Sequence, residues 1–117
     1  MTNNSSSTRQ IFVVSDGTGI TAQHLAQSLM SQFENIEFTT TTLPYIDTKE
    51  KAIETVNKIN HACQTNQSQP IVFATLVKSE ISELINASGA KIYDLFNTFL
   101  APLEETLSTK SSYTTGR

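Results

Sequence analysis

The feature that most constrains this chain is a change of hydrophobic period, made three times over. Residues 10–15, "QIFVVS", are apolar almost throughout and rich in β-branched side chains. That is the pattern of a strand buried on both faces rather than one that meets water on alternate sides. Over residues 18–33 the period lengthens: Ala22, Leu25, Ala26, Leu29 and Phe33 recur at spacings of three and four and share one helical face, with Thr18 or Thr21 placed to cap its start. The change recurs in "NIEFTTTTLPY", a second strand that Pro44 ends, whose polar alternation puts it nearer a sheet edge. A second helix follows in "DTKEKAIETVNKINHACQ", with Asp47 or Thr48 as cap, Glu50 close by, and Ala52, Val56, Ile59 and Cys63 as its inward stripe.

Pro70 then introduces a third apolar strand, "IVFATLV", and residues 79–88 a third helix that turns Ile81, Leu84 and Ile85 inward, with Gly89 as its stop. "KIYDL" reads as a short fourth strand or a connector. Phe96, Phe99, Leu100, Leu103 and Leu107 mark a last helical segment, kinked or restarted at Pro102. Strands alternating with helices through connections this short predict an α/β fold: a three-layer αβα sandwich around a parallel, flavodoxin-like sheet of three to four strands. Residues 1–9 are Ser/Asn/Thr-rich and read as a disordered lead-in, residues 10–108 as the domain, and residues 109–117 as an aperiodic linker.

Composition removes several function classes. A net charge of −3, with no basic run among aromatics, argues against nucleic acid as a partner. No apolar run approaches the roughly 20 residues of a membrane span, and the polar start "MTNNSSSTRQ" is no secretory signal. A single cysteine, Cys63, cannot form an internal disulfide and fits a reducing cytoplasm.

Chemistry concentrates at the end of the first strand. Ser15, Asp16, Gly17, Thr18 and Gly19 lie where open parallel sheets bind ligands, just before a helix whose first-turn N–H groups favour an anion, with Thr21 adding a hydroxyl. The glycines let the backbone approach a ligand. Asp16 would repel a bare phosphate unless it serves another end, and Asp-Gly-Thr is also ordinary turn chemistry, so the two readings stand level. His24, one turn into the helix, and Lys78, after the third strand, are weaker candidates for the same edge. Cys63, His24 and His61 lack metal-ligand spacing, so no metal is expected. G-x-G is incomplete as a dinucleotide fingerprint, no Gly-Lys pair offers a phosphate loop, and "FATLV" lacks the aspartate a phospho-receiver would need.

The stretch "IFVVSDGTGITAQHLAQSLMSQF", with "TLPYID", "PIVFATLV" and "LAPLE" further on, resembles the regulatory proteins of phosphoenolpyruvate synthase and pyruvate, phosphate dikinase. The resemblance covers nearly the whole ordered chain. It implies a bifunctional cytoplasmic Ser/Thr kinase that uses ADP to inactivate its target enzyme by threonine phosphorylation. It also implies a phosphorylase that reverses this with inorganic phosphate. The family's phosphate loop lies in a C-terminal half, so the chain resembles the N-terminal domain, expected to be inactive alone and to bind no cofactor itself. ADP or ATP and phosphate are implied for the longer protein. Its partners would be the synthase or the dikinase, its own C-terminal domain and another subunit, either of the last two packing against the apolar last helix. Ser15, Asp16, Gly17, Thr18, Gly19 and Thr21 match the family's opening motif, without roles attached. The alternative is a non-catalytic binding module built on the same strand-turn-helix.

Overall fold

A computed structural model of the chain describes residues 8–65 and 68–112. Four strands, β1 (Thr8–Ser15), β2 (Glu37–Leu43), β3 (Ile71–Thr75) and β4 (Lys91–Asp94), alternate with helices α1 (Ile20–Met30), α2 (Lys49–Thr65), α3 (Ser79–Asn86) and α4 (Ala101–Leu107). The strands form one sheet in the order β2-β1-β3-β4, and every pair is parallel. This is the expected three-layer α/β fold, with β2 and β4 as the two edges. β1 begins at Thr8, two residues before the apolar run; Arg9 Nη2 donates to the Gln69 carbonyl beside it. Residues 1–7 and 113–117, parts of the lead-in and linker, lie outside the described residues.

Alternate residues of β1 go to opposite cores. Phe12 and Val14 join Val72 and Ala74 beneath α2 and α3, where Ala52, Ile59, Ile81 and Ile85 close the layer. Ile11 and Val13 join Phe73 beneath α1, which contributes Ala22 and Ala26. A central strand has no solvent side, and for that reason its sequence is apolar without alternation. Each such buried Ile or Val contributes about 1.5–3 kcal/mol through removal from water. The α1 face is roofed by one helix only. Beside it Phe73 and Tyr93 stack with ring centroids 5.6 Å apart, flooring an open apolar groove of about 480 Å³ rimmed by Phe33, Ile36 and Phe38.

The helices depart from the periodicity at identifiable places. α1 stops at Met30, so Phe33 falls beyond it and is exposed. In α2 the inward positions are Ala52, Thr55, Ile59 and Ala62, whereas Val56 and Cys63 are half-buried. Thr55 can turn inward because its hydroxyl donates to the Lys51 carbonyl at 2.9 Å, leaving no unmet polar group. Gly89 does not end α3; Ala87 does, in ordinary right-handed geometry. Gly89 instead lies against α2: its N–H donates to Asn60 Oδ1 at 2.9 Å, and a Cβ there would stand 3.0 Å from Cys63 Sγ.

Pro102 sits in the first turn of α4, after a π turn at Phe96–Leu100. Glu104 of α4 accepts the Ser111 N–H at 2.9 Å, and that bond holds its carboxyl below the usual range. The expected cap of α2 is present, since Thr48 Oγ1 accepts the Lys51 N–H at 3.2 Å. Thr48→Ala should cost about 1 kcal/mol, read as a fall of several degrees in the midpoint of a circular-dichroism melt.

Candidate functional site

With the order β2-β1-β3-β4, the connection leaving β1 runs to one side and that leaving β3 to the other. The carboxyl ends of β1 and β3 therefore flank the switch-point crevice where ligands bind in sheets of this kind. Three loops meet there: residues 16–19, residues 44–48 and residues 76–78.

Asp16 spans the crevice. Its N–H donates to the Thr75 carbonyl at 3.3 Å, and its Oδ2 accepts the Val77 N–H at 2.8 Å. Ser15 is 1% exposed and its hydroxyl accepts the Gly17 N–H at 3.0 Å. The second loop is tied on through its backbone: Tyr45 N–H donates to the Gly17 carbonyl and Ile46 N–H to the Ser15 carbonyl, each at 2.8 Å. Ser15 and Asp16 thus brace the loops that surround them. The carboxylate whose charge was hard to reconcile with an anion has a backbone donor of its own.

The start of α1 differs from this bracing. Gly19 is its N-cap at φ 80°, so no side chain caps the helix, and Thr18 Oγ1 reaches only the Ile20 N–H, at 3.3 Å. Neither Thr18 nor Thr21 caps the helix end, and both are exposed. The first turn of α1 carries no acidic residue, whereas α2 has Glu50, α3 Glu80 and α4 Glu104 there. The positive end of α1 is consequently unanswered by its own sequence, and its first-turn N–H groups point to the edge where β1 ends.

Of the two glycines only Gly19 has a left-handed φ, and a Cβ on it would stand 3.0 Å from Thr42 Cγ2 of β2. Its lack of a side chain serves this tight packing. Thr42 in turn bonds Gln23 of α1, Oγ1 to Oε1 at 3.1 Å, fixing the edge strand to the helix. His24 is exposed on α1. Lys78 Nζ donates to the Asp47 carbonyl at 3.3 Å, so it joins the second and third loops. Lys51 pairs with the Asp47 carboxylate at 3.1 Å, and that hydrogen bond lowers the Asp47 pKa. The structure therefore brings Ser15–Gly19, Thr21 and Lys78 to one edge. Among the described residues no group of three or more His, Cys, Asp or Glu is arranged to hold a metal, and no helix is long and apolar enough to cross a membrane.

Two features of the edge escape sequence reading. One is the Gln23–Thr42 tie, a contact between two polar residues 19 positions apart. The other is Tyr45, at φ 59°. Pro44 before it, within "TLPYID", makes a turn there expected but says nothing of its sign.

The sequence profile of the kinase/pyrophosphorylase family matches residues 11–117. Among curated proteins, those named phosphoenolpyruvate synthase regulatory proteins are similar. One from Stutzerimonas stutzeri (strain A1501) is 51% identical over 109 residues, which is 93% of this chain and 40% of the relative. One from Pseudomonas fluorescens (strain Pf0-1) matches with the same identity and coverage, and one from Pseudomonas aeruginosa (strain LESB58) is 50% identical. The chain spans about 40% of the length of these relatives.

Proposed function

The chain belongs to the kinase/pyrophosphorylase family, and on that footing we propose that it forms the N-terminal domain of a phosphotransferase that regulates phosphoenolpyruvate synthase. In the forward direction ADP gives its β-phosphoryl group to a threonine hydroxyl of the synthase, leaving AMP and a phosphothreonine. In reverse, inorganic phosphate takes that group and leaves as pyrophosphate, restoring the hydroxyl.

Since the sequence holds no Gly-Lys-Ser/Thr, we assign nucleotide binding to a phosphate loop in the further length of such proteins. These residues would then receive the phosphate-bearing side of the reaction. The observation that carries this is the uncapped start of α1, free of acidic residues, at the switch-point edge. Its N–H groups suit the charge of a phosphoryl oxygen, and preset donors of this kind act without reorganising. Asp16 keeps the β1 and β3 loops at fixed separation so that this helix end stays in place. The commitment of Ser15 and Asp16 to backbone groups favours a second reading, a binding module with no chemistry of its own.

A chimera tests the proposal. This chain replaces the matching segment of the Stutzerimonas stutzeri relative, and ADP-dependent loss of synthase activity is followed together with phosphothreonine by mass spectrometry. The expected rate lies within about tenfold of the parent protein, a difference of roughly 1.4 kcal/mol in barrier, while the 117-residue chain alone gives none. Phosphorylation by the chain alone, or a folded chimera that leaves the synthase untouched, overturns it.

A further inference from the structure

We infer that the apolar groove on the α1 face is the seat of a helix from the protein's own further length, which completes the layer that α1 begins. The inference rests on the reading of the chain as one domain of a longer protein, and goes beyond it.

The groove is core without a roof. An all-parallel sheet is apolar on both faces and is covered on both. Here α2 and α3 pack together over one face, whereas α1 lies alone on the other. The stacked rings of Phe73 and Tyr93 form the floor, and Tyr93 is 43% exposed. Leu29, Phe33 and Ile36, at the end of α1 and after it, line the same groove and are exposed as well. Large apolar side chains scattered singly are ordinary on a surface, but four along one cavity of about 480 Å³ mark a face that something covers. α4, which follows β4, contributes nothing to this lining and buries none of its own residues.

Three observations choose the occupant. The first is length: the match takes in only 40% of each relative, so most of such a protein lies outside the matched segment. A segment joined to the domain by the chain itself meets the groove at high effective concentration. The second is chemistry. The lining is aromatic and aliphatic except for Arg9 and Gln32, which suits a permanent contact, since partners that come and go meet more polar surfaces. The third is place. Arg9, Phe38 and Ile71 of the lining stand at the starts of β1, β2 and β3, whereas the candidate site lies at the carboxyl ends. The 11 residues of α1 separate the two by about 16 Å. A target side chain held at the start of α1 therefore needs no contact with the groove.

Hydroxyl-radical footprinting, read peptide by peptide in a mass spectrometer, tests this on the 117-residue chain and on the chimera. In the chain alone Phe33 and Tyr93 should be oxidised readily at every protein concentration. In the chimera without synthase both should react about fivefold more slowly, as rings 53% and 43% exposed become interior ones. His61, exposed on α2, should keep its rate. Phe33→Glu gives a second readout. In the chain alone the exposed position should carry the charge with little change in melting, while in the chimera the midpoint should fall by several degrees, because the charge is then enclosed.

Rings that stay reactive in the chimera overturn the inference, and so does a Phe33→Glu chimera that melts with its parent; the proposed function stands if either chimera still inactivates the synthase. Protection that grows with the concentration of the chain alone gives the groove to a second copy, and protection that appears only on adding synthase gives it to the target. Either result overturns the inference. Protected rings in a chimera without effect on the synthase support it and count against the proposed chemistry alone.

Discussion

Gly19→Val should destabilise the domain by about 2–5 kcal/mol and abolish regulation in the chimera. A left-handed φ costs an L-residue roughly 1–2 kcal/mol, and more for a β-branched one. Gly19 sits at φ 80°. A second cost comes from space, since the added Cβ would stand 3.0 Å from Thr42 Cγ2. Thr42 cannot swing away freely, because its hydroxyl is engaged with Gln23. Overpacking of this kind typically adds about 1–3 kcal/mol. The melting midpoint should fall by about ten degrees or more. Gly19→Ala separates the two terms, as it carries the strain and the first methyl but no branch. Gly17, outside the left-handed region, should tolerate alanine within about 0.5 kcal/mol in melting. Equal losses at both positions would mean that the turn, rather than the Gly19 conformation, is what matters.

Ile59→Ala should cost a similar amount, about 2–5 kcal/mol, the range for truncating a fully enclosed aliphatic side chain. Ile59 is 0% exposed at the middle of α2, in the core shared with Val14, Val72 and Ile85. Domains of this size are stable by about 5–15 kcal/mol, so urea denaturation of the variant should begin at markedly lower concentration. Ile53→Ala on the same helix is the control: Ile53 is 44% exposed, and the change should stay within about 1 kcal/mol. If both variants lose the same stability, α2 is held by its helical propensity and not by the packing described.

Most of the architecture was legible because burial leaves a signature in one dimension. "IFVVS" is apolar without alternation since both faces of β1 are covered, and Thr39–Thr42 are polar because β2 has an open side. What periodicity could not give was the angular fine detail of α2. The expected inward stripe held Cys63 and left out Thr55, yet Thr55 meets its hydroxyl need within its own helix and so packs inside. The site was legible as a place and not as a set of roles. That Asp16 would accept from Val77, 61 residues along, depends on β3 lying next to β1, which no local pattern states. Gly89 shows the same limit, its role being set by Cys63 across a helix interface.

The position of β2 has a consequence for handling the domain at high concentration. One side of the strand is matched residue for residue with β1, from Thr8 opposite Glu37 to Val14 opposite Leu43. The other side ends the sheet and offers backbone donors and acceptors to whatever comes alongside. Within "EFTTTTL" there is one charge and no proline to discourage that approach, a composition close to that of segments that stack into fibrils. The charge of Glu37, at one end of the strand, is all that β2 itself sets against such pairing. The threonines that make β2 a good neighbour for β1 make it an equally good neighbour for another β2.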